Sequence, residues 1–178
     1  PTEVPETVEP SATTVPPTET AAPTLSAKEW REWPVIPTGV SAKMKEVYAA
    51  GLEAGNRADR FSKVGDSNST GQAFLGCYDF GELGSYQLDA YESLAATIKQ
   101  FQWSFSRVSR ATEIGKTAFD LDVYHWYEDD ICWPYESATT CEYRLWTPSI
   151  SFIALGTNDV FMKVEEFDKH MRSLVEKS

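Results

Sequence analysis

The sequence predicts an α/β domain built around a largely parallel sheet, and three observations carry that prediction. From about Ser41 onward, segments with helical periodicity alternate with short apolar runs of strand character. Two of those runs stop at a glycine and pass at once into a polar cluster, Gly65-Asp66-Ser67-Asn68-Ser69 and Gly156-Thr157-Asn158-Asp159. Hydrophobic residues make up 42% and aromatic residues 13% of the 178 positions, enough for one sizeable core.

Residues 1–37 stand apart. The first 25 hold six of the ten prolines and seven threonines, with no Lys or Arg. Such a stretch has too few large apolar groups to offset the entropy of ordering. It reads as a disordered Pro/Thr/Glu-rich stalk or linker attached to a domain over 38–178, as on a bacterial cell surface. The chain starts at Pro1 without an initiator methionine, which reads as a processed or excised chain.

The elements follow in order. "SAKMKEVYAAGLEAGN" puts Met44, Val47, Tyr48 and Leu52 near helical spacing, with Ser41 as N-cap and Gly55 at the end. "RFSKVG" reads as a strand. "SYQLDAYESLAATIKQFQ" aligns Leu88, Tyr91, Leu94, Ala95, Ile98 and Phe101 on one helical face. "WSFSRVS" alternates like a strand, and "GKTAFDLDVYHWY" reads as a helix. "PSISFIALG" gives the strongest strand signal, and "VEEFDKHMRSLVEKS" closes the chain as an amphipathic helix.

Charge excludes some partners. Sixteen basic against 27 acidic residues give a formal charge of −11, which disfavours nucleic acid and anionic membrane. No apolar run approaches the roughly 20 residues of a membrane-spanning helix.

In open parallel sheets, chemistry gathers beyond the carboxyl ends of the strands, where both polar clusters fall. A serine there can serve as an attacking hydroxyl, and an asparagine amide can stabilise a developing oxyanion. "VGDSNS", followed about ninety residues later by "LGTND", resembles two blocks of the SGNH/GDSL hydrolase superfamily. The resemblance runs from about Ser41 to Ser178. It implies a flavodoxin-like three-layer sandwich with a mostly parallel sheet. It also implies a serine esterase acting on a small carboxylic ester or an acetylated carbohydrate through an acyl-serine, without metal or organic cofactor. On this resemblance Ser67 is the nucleophile. Its N–H, the Asn158 carboxamide and the N–H of Gly115, the glycine of "SRVSRATEIGKTA", form the oxyanion hole. Gly65 and Gly156 end their strands, and Asp66 and Asp159 tie loops together through backbone N–H groups. Asn68-Ser69-Thr70 matches a glycosylation sequon; a glycan there would block Ser67, so Asn68 is expected unmodified.

The family's general base comes from an Asp-x-x-His motif after the Gly-x-Asn-Asp block. Here Asp168 and His170 are one residue short of that spacing, in a helix where a histidine reads as solvated or at a rim. Asp122-x-x-His125 has the spacing but precedes Asn158, and reads as a chance match. Two explanations fit: a chain lacking its C-terminal part, which is the favoured one, or a catalytically degenerate surface module that binds instead of cutting. A partner chain supplying the missing base is a third source that nothing in the sequence requires.

Cys132 and Cys141 bracket a turn-prone segment and are expected to form a disulfide, which fits an extracellular location and leaves Cys77 over. A metal site from His125, Cys132 and Cys141 matches no compact zinc pattern. The "YEDD" run reads as a solvated turn. Between Phe119 and Trp146 the chain is dense in rings; packing accounts for most, and the functional reading is a rim on which sugars or acyl chains stack.

Overall fold

The computed structural model describes residues 31–32, 39–71, 73–83, 86–123 and 130–178. The expected stalk therefore lies almost wholly outside the described residues, as do His125 and the YEDD run apart from Asp130, which is exposed in a turn. The chain divides into two units, Pro1–Gly39 and Val40–Ser178, and the second is the mixed α/β domain.

Strand β1 spans Arg57–Gly65 and β2 spans Pro148–Ala154, and they pair in parallel with Phe61 opposite Ile150 and Gly65 opposite Ala154. Among the described residues these two strands form the whole sheet. On its other side β1 meets a single parallel bridge, Gly65 to Thr112. There the Gly65 N–H donates to Ala111 O at 2.9 Å and the Glu113 N–H to Gly65 O at 3.2 Å. Three segments thus run in one direction past one end of the sheet.

The strand expected over Trp103–Ser109 does not form. The Asp79 carboxylate accepts the backbone N–H groups of Trp103 and Ser106 and the Ser106 hydroxyl, so these amides are unavailable to a ladder. Trp103 takes a φ of 74°, incompatible with extended pairing. The Phe61 N–H meets the Ser104 hydroxyl instead of a backbone carbonyl. Only the following residues, Ala111 to Glu113, reach β1.

Helix α1 (Ala42–Glu53) is capped by Ser41, whose hydroxyl accepts the Met44 N–H at 3.2 Å. Its apolar stripe is not buried. The long helix expected over Ser85–Gln102 is broken: a 3₁₀ segment, Asp89–Leu94, leads through a non-helical Tyr91 into the short α2 (Ala95–Gln100). Neither piece buries a residue, so no packed face enforces one continuous helix. Helix α3 is limited to Ala118–Asp122, opened by a Thr117/Asp120 capping box. Helix α4 (Ala138–Trp146) begins inside the Cys132–Cys141 segment read as turn-prone, with Ser137 as its cap. Helix α5 (Val164–Glu176) follows its sequence pattern.

Alternation along β1 sends Ser62 and Val64 to one side of the sheet and Phe61 and Lys63 to the other. On the first side Val64, Ala111, Ala118, Leu121, Ala138 and Leu174 form the core, so α3, α4 and α5 meet there. Fully buried Glu142 of α4 pairs with Arg107 and accepts the Ser62 hydroxyl at 2.5 Å and the Arg110 N–H at 2.9 Å, locking α4 to β1. On the second side Phe61 makes edge-to-face contacts with Phe101, Phe105 and Phe152. Lys63 is buried there, its ammonium donating to the Phe74 and Phe105 carbonyls. The Cys132–Cys141 disulfide is present; closing a loop of this length stabilises by about 2–3 kcal/mol.

The far edge of β2 has no strand partner among the described residues. A groove of about 880 Å³ runs beside it, walled by Met44, Val47 and Tyr48 of α1, Ile150 and Ile153 of β2, and Val175 of α5. Among the described residues no helix is long and apolar enough to cross a membrane.

Candidate active site

Three loops leave the sheet at the carboxyl ends of the parallel segments: 65–70 after β1, 113–117 after the Thr112 bridge, and 155–162 after β2. Backbone and side-chain bonds stitch them together.

The first loop begins at Gly65, where no side chain fits: a Cβ would lie 2.5 Å from Ala154 O and would also strike Ser69 Oγ. The need for glycine comes from this close approach of β2, not from a left-handed φ. Asp66 is 2% exposed and caps the 3₁₀ turn Ser67–Ser69, its Oδ1 accepting the Asn68 N–H at 2.9 Å. Ser67 opens that turn half-buried, and its carbonyl accepts the Thr70 hydroxyl at 3.1 Å. The turn sets Ser67 at the strand end, directly after the buried Asp66.

The third loop places Asn158 beside this turn. Its Nδ2 donates to Lys116 O at 3.0 Å and lies 3.4 Å from Asp66 Oδ2. The second contact is at the long limit for a hydrogen bond, so that N–H is weakly held. Buried Asp159 fixes the loop's shape: Oδ2 accepts the Gly156 N–H at 3.0 Å and Oδ1 accepts the Ala118 N–H at 2.8 Å. Gly156 has a φ of 128°, a conformation open to glycine.

The middle loop connects the other two. Gly115 has a φ of 81° and is exposed; it precedes Lys116, whose carbonyl anchors Asn158. Gly115 does not open α3, since Thr117 is the N-cap. Sequence reading overlooked Lys116 O and the Ala118 N–H, because a backbone group carries no side-chain signal.

The two histidine-containing patterns behave differently from expectation. His170 is 8% exposed, not solvated, and its Nδ1 lies 2.8 Å from Asp122 Oδ2. Phe119 meets the imidazole edge-on at 5.2 Å. Asp168, the nearer acid in sequence, instead pairs with Arg172 on the surface. Asp122 Oδ1 also accepts the Ser173 hydroxyl at 2.6 Å and the Lys177 ammonium at 2.5 Å, so one carboxylate gathers the last two turns of α5 and its C-cap residue. Burial pushes the Asp122 carboxyl up, but the bonds from Lys177, Ser173 and His170 outweigh it and hold it below the usual range. His170 lies six residues into α5, about 9 Å along the axis from the end nearer Asn158. Among the described residues no hydrogen bond joins an imidazole to the Ser67 hydroxyl.

Ligand-type atoms of Cys132, Glu136 and Cys141 lie within 4.8 Å of one another. The two sulfurs are joined to each other, and the Glu136 carboxylate is taken by Arg144 at 2.7 Å, so this cluster is not available to a metal.

The arrangement sets a hydroxyl, a backbone N–H and a carboxamide around one end of the sheet, parts suited to acyl transfer. The chain matches no protein-family model, no curated protein and no solved structure.

Proposed function

We propose that the domain is a serine ester hydrolase of the SGNH type, with the three-layer, mostly parallel architecture of that superfamily, working outside the cell. The single observation that supports this reading is the Asn158 carboxamide, pinned by Lys116 O beside the Asp66–Ser67 turn across 92 residues of sequence. Ser67 Oγ attacks the ester carbonyl. The oxyanion accepts hydrogen bonds from the Ser67 N–H, the Gly115 N–H and Asn158 Nδ2. Collapse expels the alcohol and leaves an acyl-serine, which water cleaves to the free acid. The proton of Ser67 passes to a base outside the described residues. The substrate is a small carboxylic ester or an acetylated carbohydrate. An acidic chain with a disulfide fits the extracellular setting.

A second reading, a non-catalytic surface module, is favoured by one observation: among the described residues no imidazole is hydrogen-bonded to the Ser67 hydroxyl. A fluorophosphonate probe separates the two. Labelling of the wild type that vanishes in Ser67→Ala supports the hydrolase. A wild type that stays unlabelled while folded supports the module.

A further inference from the structure

Helix α1 carries an apolar stripe, and no residue of the helix is buried. Met44, Val47 and Tyr48 of that stripe wall the groove of about 880 Å³ together with Ile150, Ile153 and Val175. Its volume falls in the range of roughly 300–1,000 Å³ typical of small-ligand sites. All the lining residues belong to the Val40–Ser178 unit, so the groove is a feature of the α/β domain itself. Ser149 and Ile153 both line it, so it follows β2 for about 13 Å at the rise of an extended chain. Apolar surface gains by leaving water, and an elongated apolar trough suits an unbranched alkyl chain.

Charge selects the other end of the ligand. The chain has 27 acidic and 16 basic residues, yet no described Asp or Glu lines the groove, whereas Lys45 does. Lys45 is exposed, and among the described residues its ammonium is in no ion pair; the adjacent Glu46 carboxylate is paired with Lys43 at 3.8 Å. A smaller polar pocket continues the groove through Asn56, Ser149 and Ser151, and its charged side chain is again a lysine, Lys177. The Lys177 ammonium is shared with Asp122, which leaves Lys45 as the cation for a ligand. An apolar trough served by cations, on a strongly negative chain, is complementary to an anionic head on an apolar tail. A second copy of the chain is the rival occupant, and the charge of −11 on each copy opposes it.

We propose that the groove binds a long-chain carboxylate, its head at Lys45 and its alkyl chain between α1 and β2. The site does not require Ser67 to be catalytic, because β1 and the turn that follows it lie on the opposite edge of β2.

The test is isothermal titration calorimetry of the whole chain at pH 7 and low ionic strength, below micelle formation. The ligands are octanoate, decanoate and dodecanoate, with octanol as the uncharged control. The wild type binds the carboxylates at one saturable site, about fourfold more tightly for each added methylene. Lys45→Gln binds octanoate about two- to fivefold more weakly and octanol unchanged. Val47→Asp and Val175→Asp, at positions 48% and 61% exposed, keep the thermal midpoint near that of the wild type and bind decanoate at least about tenfold more weakly. Ser67→Ala binds like the wild type, which keeps this outcome separate from probe labelling. Absence of saturable binding by the wild type, equal affinity for octanol and octanoate, or undiminished binding by both aspartate variants overturns the proposal. A wild-type dimer in sedimentation that both aspartate variants convert to monomer, without carboxylate binding, also overturns it and assigns the groove to a second copy.

Discussion

Replacing Asp122 with asparagine tests how α5 is held. The carboxylate is buried between α3 and α5 and accepts from His170, Ser173 and Lys177 at 2.8, 2.6 and 2.5 Å. Asparagine preserves the volume but removes the charge and turns an N–H₂ group toward one of these donors. Each bond to a charged acceptor is worth about 1.5–3 kcal/mol, and the three are not additive. Lys177 is one-third exposed, so water screens its share. The expected loss is about 2–4 kcal/mol, or about 5–15 °C in thermal midpoint for a domain of this size. Acid titration sharpens the test. The folded carboxyl sits below its unfolded value near 3.9, so its stabilisation is complete above that pH and fades as pH falls through the folded value. Urea denaturation followed by circular dichroism from pH 2 to 7 reads both effects. The wild type should lose stability below about pH 4, and Asp122→Asn should show a shallower loss. Lys177→Met should cost no more than about 1 kcal/mol. An Asp122→Asn variant with the wild-type midpoint and the same acid limb would refute the clamp.

Three further outcomes follow from the same geometry. Gly65→Ala forces a methyl against Ala154 O and Ser69, and should lower stability by about 1–3 kcal/mol in chemical denaturation. On the proposed hydrolase reading, Asn158→Ala should slow fluorophosphonate labelling of Ser67 by about 10²–10³-fold, with the far-ultraviolet circular dichroism unchanged. Burial, with help from Arg107, lowers the folded Lys63 pKa to about 8. The unfolded side chain titrates near 10.4, so the wild type should gain stability as pH rises from about 8 to 10.4, and Lys63→Met should lack that rise.

What the sequence revealed, and what it hid, divides along physical lines. β2 and α5 were legible because each depends on its own pattern: a branched apolar run bounded by Pro148 and Gly156, and a stripe through Phe167, Met171 and Leu174. Trp103–Ser109 misled because alternation says nothing about Asp79, more than twenty residues earlier, which takes the amides a strand would use. Helix α4 was missed because its fixed points are a single cap, Ser137, and the remote partners of Glu142, Ser62 and Arg107. At the candidate site, Ser67, Asn158 and Gly115 were named from motif and spacing. The atoms that set their relation are backbone groups, Lys116 O and the Ala118 N–H, which any residue type could supply. His170 and Asp122 were each noticed, but their pairing spans 48 residues and depends on α3 lying against α5.

The outer edge of β2 has a physical consequence for handling the protein. Among the described residues no strand pairs with that edge, and apolar side chains of α1 and β2 line the groove beside it, an arrangement that templates the addition of further extended backbone from a neighbouring molecule. Mutual repulsion from eleven excess negative charges is the force opposing such stacking, and dissolved salt screens it over about 10 Å at 0.1 M. Light scattering should therefore grow with ionic strength, the reverse of what a purely electrostatic attraction would give.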